Sequence, residues 1–464
     1  MRNETQPLQT SSKTVGPGRS VKLVIVACFL LGVMVDGLQP AWSEDAHWNQ
    51  FRGPNFNGTS PTTGLPHTFS QQENVHWSVP MPGPSAATPV VFGNRVFVSS
   101  ADVKRDKLIA MCLDRTDGSV MWQRDVADGI RKDTRSTYSA PTPATDGKLV
   151  FFFFGNGDLV AFDVDGTKQW EKNLGPFAFG WTFSTSPLLY DDKLYIQVLQ
   201  RDYRKEGQPA DSQIVSNIQS YLLALDPKSG EEIFRHIRPA DAVEESLEAF
   251  TSPVPMQHEG RAEILVAGGD CISGHDPQTG QEFWRWGTWN PQRIPHWRLV
   301  PSPIYGAGVI LACAPKNEPI YAIPAGRNGN LEYEDTLWVS DDERTLSSDV
   351  PTPAFHDGDF FVLSDGRKSL TRVRPLTGEV VWTVSTPGRS KYEASPTIAE
   401  GKVYLINFLG EVTVVDAANG EIIQTVAMEP IAETEDQVRS TVVADSAQLF
   451  IRTNSRLWCL GKVN

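Results

Sequence analysis

The sequence predicts an all-β fold in which eight four-stranded antiparallel sheets are arranged radially as a closed propeller. Three observations predict it: a unit of roughly 50 residues recurs along the chain, its strand and turn signals leave no room for helices after residue 44, and a strand lacking a local partner precedes the first unit. At 464 residues the chain is too long for one ordinary domain, and a repeat array resolves that length without a second core.

Each unit opens with a small hydroxyl residue followed by proline: Thr88-Pro89, Thr142-Pro143, Ser186-Pro187, Ser252-Pro253, Ser302-Pro303, Thr352-Pro353 and Ser395-Pro396, with Ser440-Thr441-Val442 as an eighth opening without the proline. Short β-branched and aromatic runs follow, such as Arg95-Val96-Phe97-Val98, Lys193-Leu194-Tyr195-Ile196 and Lys402-Val403-Tyr404-Leu405, and read as strands. A strand ending in Asp then meets a Gly turn, and an aromatic stands three or four residues on. Gly118 with Trp122, Gly166 with Trp170, Gly230 with Phe234, Gly280 with Trp284 and Gly378 with Trp382 are the copies, and Gly420 is followed by Gln424. Glycine supplies the positive φ of a tight turn, and the tryptophan of the last strand is expected to pack between neighbouring sheets. The fifth copy, around Tyr321-Ala322-Ile323, has lost the motif, and its Trp338 comes late.

The eighth unit ends at Ser455–Leu460 without a terminal strand, whereas Asn74–Val79, with Trp77, is such a strand placed before the first opening. Residues 74–79 pairing with 456–461 closes the ring and removes an open sheet edge. The expected organisation is a signal peptide over 1–43, an N-terminal segment over 44–85 that wraps the ring and supplies the closing strand, and the propeller over 86–464.

The signal peptide reading rests on a 13-residue apolar run, 23–35, preceded by Lys13, Arg19 and Lys22 and followed by Ala41-Trp42-Ser43. A membrane-spanning helix requires about 20 apolar residues, so no integral span is expected and the chain reads as exported, periplasmic or extracellular. Ile25-Val26-Ala27-Cys28 also looks like a lipobox, but Phe29–Val35 continues the apolar run past Cys28, which favours cleavage over a lipid anchor there. Cys112, Cys271, Cys313 and Cys459 are far apart and read as buried free thiols, Cys112 and Cys459 at matching repeat positions.

The formal charge of −14, with no basic run, argues against nucleic acid as a partner. No His or Cys spacing forms a metal motif, so no metal site is assigned. The short turns fall on one face of the ring, and the longer loops 128–138, 174–183, 240–250, 289–300, 341–350, 387–394 and 431–439 converge at the other, around the channel mouth. They carry Arg135, Tyr138, Trp181, Phe183, Phe250, Trp297, Arg298, Tyr392 and Arg439. Aromatics interleaved with arginine in a concave mouth suit a planar or anionic ligand, or a peptide. The same residues also suit a plugged channel with its arginines paired. The polar insertion 199–220 lengthens the same face. Glu244, Glu245 and Glu248 with Asp341, Asp342 and Glu343 offer oxygens to a hard cation such as calcium, though exposed acidic clusters are commoner than sites.

The repeat Ala-x-Asp-x-x-(Thr/Asp)-Gly-x-x-x-Trp resembles the pyrroloquinoline-quinone (PQQ)-like repeat of quinoprotein-type β-propellers, which include PQQ-dependent alcohol dehydrogenases and the propeller lipoprotein of outer-membrane assembly. Trp48-Asn49-Gln50-Phe51-Arg52-Gly53-Pro54 with Gly58 also resembles the segment ahead of the propeller in exported members of planctomycete-type bacteria. The resemblance implies two functions. One is a monomeric exported binding or scaffold module, without cofactor or catalysis, for a protein, peptide or glycan of the cell envelope. The other is a PQQ-dependent dehydrogenase holding PQQ with calcium at the channel. The adjacent Cys-Cys pair of the dehydrogenases is absent and no metal-binding Glu, Asn and Asp set can be assigned, which favours the binding module.

Overall fold

The computed structural model describes residues 47–205, 214–340, 346–429 and 437–462, with side chains left aside at 203–205 and 214–216. The signal peptide reading and Cys28 lie outside the described residues. Eight sheets stand around a central axis, each starting from a short inner strand and proceeding outward through hairpins. Blade 1 is Val90–Phe92, Arg95–Asp102, Lys107–Asp114 and Val120–Asp128, all antiparallel. Blades 2, 3 and 6 repeat this order from Ala144–Thr145, Leu188–Tyr190 and Ala354–His356.

The second and third strands of each blade are buried on both faces, because each blade is covered by two neighbours. Arg95–Asp102 and Lys107–Asp114 thus read as nearly unbroken apolar runs, whereas the outer strand Lys168–Asn173 is solvated and alternates. In the eighth sheet the outermost strand is Val75–Pro80, antiparallel to Arg456–Gly461, with Trp77 opposite Cys459. Cys112, Cys271, Cys313 and Cys459 are all buried and unpaired. No helix among the described residues is long and apolar enough to cross a membrane.

The turn glycines have a second purpose besides positive φ. Each lies against the aromatic of the preceding blade, and a Cβ would fall within 2.4–2.8 Å of a ring atom: Gly118 on Trp77, Gly166 on Trp122, Gly230 on Trp170, Gly280 on Phe234, Gly378 on Trp338 and Gly420 on Trp382. Five of these indoles also donate their N–H to a carbonyl beside that turn, as Trp122 does to Val164 at 2.9 Å. The late Trp338 therefore does the same work as the others.

The joint between blades 4 and 5 is built differently. Trp284 turns back into its own blade, donating to the buried Glu263 carboxylate at 2.6 Å. Gly329–Leu331, within the chain that delays Trp338, adds a parallel fifth strand to the edge of blade 4 along Trp284–Trp286. Trp286 is buried there, 4.7 Å from the Tyr321 ring of blade 5, and donates to Glu332 O.

The hydroxyls that open the units form a girdle around the channel. In seven of the eight the backbone N–H donates to the hydroxyl of the next: Thr88 to Thr142, Thr142 to Ser186, Ser186 to Ser252, Ser252 to Ser302, Ser302 to Thr352 and Thr352 to Ser395, with Thr441 returning to Thr88, at 2.9–3.4 Å. A buried N–H must find an acceptor, and a short Ser or Thr side chain supplies one without filling the channel.

Residues 47–60 cross the turn-side end of the channel as a strap. Trp48 O and Asn49 O accept from Val91 and Thr145, and Gln50 Oε1 accepts from Leu189 N–H; farther round, Asn57 O and Gly58 O accept from Phe355 and Ile398. Thr59–Ser60 then pairs parallel to the inner strand of blade 7. Arg52, 2% exposed, donates to Pro353 O and Pro396 O at 2.8 and 2.9 Å, and burial pushes its pKa down to about 9.

Candidate functional site

The loop-rich end of the channel encloses a cavity of about 260 Å³, with Phe51 of the strap closing it from the other end. Its walls include the hydroxyl girdle, Trp181 and Phe250, five cations and two carboxylates. The cations are Arg135, Arg298, Lys316, Lys391 and Arg439; the carboxylates are Asp349 and Glu393. This cationic lining stands within a chain of net charge −14.

The inner strands and their proline openings bring these groups together, since each loop between blades must cross the mouth to reach the next opening. Trp181 lies between two guanidinium groups, Arg135 at 5.8 Å and Arg298 at 6.0 Å from its ring centroid. Arg298 is also paired with Glu245 at 2.8 Å, and Arg439 with Glu393 at 3.0 Å. Among the described residues Arg135, Lys316 and Lys391 form no ion pair. Lys316 and Asn317 both adopt left-handed backbone, φ +61° and +59°, and Lys316 N–H is anchored on Asp349. Burial, and next the charge of Arg298, lower the pKa of Lys316 below the ordinary lysine value.

The structure thus places Arg135, Trp181, Phe250, Arg298 and Arg439 on the cavity wall. The other four candidates lie elsewhere. Phe183 is 1% exposed within an aromatic cluster with Phe153, Phe177 and Phe179, on which Phe250 leans through Phe179 at 5.4 Å. Tyr392 is buried, its hydroxyl between Pro387 O and Thr413 Oγ1. Tyr138 packs against the core shared by blades 1 and 2, and Trp297, whose backbone N–H donates to Ser246 Oγ at 2.7 Å, does not line the cavity. Aromatic residues in a loop have two destinations, and residue type alone does not separate mouth from packing.

Sequence reasoning missed Phe51, Lys316, Lys391, Asp349 and Glu393. Lys391, Asp349 and Glu393 fall within loops already singled out, where aromatics and arginines were selected for the mouth and other carboxylates for a cation. Lys316 comes from the turn between the second and third strands of blade 5, outside those loops.

Two members of the acidic cluster are held by arginines. Glu245 pairs with Arg298, and the fully buried Glu248 accepts from Arg201 and from Gly180 N–H, while Asp341, Asp342 and Glu343 lie outside the described residues. His236, His275 and Glu282 also approach one another. However, His275 is engaged by Ser273 and Gly280 O, Glu282 is gripped by Arg285, and the charge of Arg238 opposes a cation. For PQQ, the cationic wall and Trp181 suit a planar polyanion. The divalent cation does not fit, since both cavity carboxylates already serve Lys316 N–H and Arg439.

Fold and mouth together define a closed propeller with a one-ended, cation-lined central cavity. The family described as outer membrane protein assembly factor BamB matches residues 68–204 and 207–463, and the chain belongs to this family of PQQ-like repeat propellers. No curated protein sequence matches. Among solved structures, BamB from Moraxella catarrhalis superposes with a TM-score of 0.55 at 15% identity, over 83% of this chain and 98% of that one. A europium-containing methanol dehydrogenase gives 0.62 at 11%, over 90% and 98%. The quinohemoprotein alcohol dehydrogenase of Comamonas testosteroni gives 0.58 at 13%, over 91% and 82%. Identities this low establish a shared fold alone.

Proposed function

We propose that the protein is an exported binding module of the cell envelope, acting as a monomer that captures a partner at its loop-rich mouth without catalysis of its own. The observation that carries this reading is the cavity itself: one-ended, walled by Trp181 and Phe250, and lined by five cations of which three form no ion pair among the described residues. Family membership supports the envelope and a protein partner, since the family's description concerns assembly of outer membrane proteins. The dehydrogenase neighbours keep a quinoprotein as the second reading, favoured by Trp181 between two arginines and opposed by the engaged carboxylates.

Pull-down of partners from native envelope with the full chain tests the proposal. Trp181→Ala is expected to lose the partner, whereas Trp297→Ala, outside the cavity, retains it. Reconstitution with PQQ and calcium followed by dye-linked alcohol oxidation separates the two readings, because turnover would establish the quinoprotein.

A further inference from the structure

Resting on the proposed role of the mouth, one observation specifies what it takes. We infer that the cavity receives an acidic peptide segment, whose carboxylates meet Arg135, Lys316 and Lys391 while its carbon chain lies against Trp181 and Phe250.

The charge is the first argument. Acidic side chains outnumber basic ones 56 to 42 in the chain, yet five cations and two carboxylates line this cavity. Arg298 and Arg439 each hold one carboxylate already. Arg135, Lys316 and Lys391 have none among the described residues; Lys316 is half-buried and Arg135 and Lys391 are exposed at the opening, where a carboxylate would meet charged donors.

The backbone is the second. Two successive non-glycine residues at positive φ, Lys316 and Asn317, project one ammonium group into the channel, and such conformations persist only where surrounding structure enforces them. Asp349 does so by accepting Lys316 N–H, and Lys316, which lines the cavity, forms no ion pair with that carboxylate.

Hydrogen-bond capacity separates a peptide from a sugar. The girdle hydroxyls each spend a lone pair on an N–H from a neighbouring blade, and the charged groups on the wall are chiefly donors, five cations against two carboxylates that already accept from Lys316 N–H and Arg439. Sugar hydroxyls need acceptors as well as donors; carboxylates need donors alone. The volume, near the lower end of the roughly 300–1,000 Å³ common for ligand sites, admits a few side chains rather than a folded surface.

Isothermal titration of the full chain with tetraglutamate and with tetraglutamine tests this. Tetraglutamate is expected to bind and to weaken roughly tenfold between about 20 mM and about 200 mM salt, with tetraglutamine silent. The double variant Lys316→Met, Lys391→Met is expected to lose at least roughly tenfold in affinity with an unchanged circular dichroism melt, and Lys104→Met, outside the cavity, to behave as the parent. Equal binding of the two peptides, absence of heat with tetraglutamate, or an unaltered double variant overturns the inference. If the double variant still recovers the envelope partner while Trp181→Ala does not, the acidic ligand class alone falls. If Trp181→Ala recovers it as well, the mouth reading falls too.

Discussion

Blades 1 and 2 meet through one indole on one glycine: Trp122 covers Gly166 and donates to Val164 O. Blades 4 and 5 meet through an added strand, Gly329–Leu331, and a tryptophan two residues later in the outer strand, Trp286 in place of Trp284. The first joint needs a glycine because flat ring and turn backbone are in direct contact. The second gains its burial from inserted chain, so it tolerates the loss of the turn motif that the sequence shows in the fifth unit. A repeat fold can therefore replace a motif wherever another segment restores covered apolar area at the same joint.

The largest expected effects come from removing the aromatic at each joint. Trp122→Ala and Trp286→Ala should each cost about 3–5 kcal/mol in urea unfolding. Only the second should release Gly329–Leu331, seen as faster amide hydrogen exchange there, and equal exchange in both variants would erase the distinction. Next, Gly166→Ala combines φ +84° with a Cβ placed 2.7 Å from the Trp122 ring, and is expected to cost about 2–4 kcal/mol. Gly329→Ala, at φ +75° but with nothing within 4 Å, should cost only about 1–2 kcal/mol by the same assay.

The smallest effect concerns the mouth side of the joint between blades 5 and 6, where Asp365 accepts Asp349 N–H at 3.1 Å. Burial raises the Asp365 pKa from 3.8 to about 6, with the charges of Asp349 and Glu393 adding to the rise. The folded state then holds the proton more tightly than the unfolded chain, so this contribution is full below about pH 4 and is lost as pH rises toward about 6. Asp365→Asn should be more stable than the parent at pH 7 by on the order of 1 kcal/mol, and thermal melts of the two should converge near pH 4.

The strand plan and the closure of the ring were legible because short β-branched and aromatic runs, turn glycines and openings recur locally in most units. The purpose of the opening hydroxyls was not, since it appears only when Thr88 N–H is set beside Thr142 from the next unit. The site was half legible for a related reason. Arg135, Trp181 and Arg298 announce themselves by type, whereas Phe183 and Tyr392 have the same type and enter packing instead. Lys316 owes its position to two residues in left-handed backbone, a conformation that Lys-Asn does not advertise.

The strap and the closing strand also decide where His47 and Gly461 come to lie. His47 contacts Asp445 and the turn at Gly93, and Gly461 lies beside Ala447, so these two residues sit close to the same inner hairpin of the eighth blade, on the turn side of the ring. Whatever meets the ring at His47 or Gly461 does so from below and leaves the upper opening free.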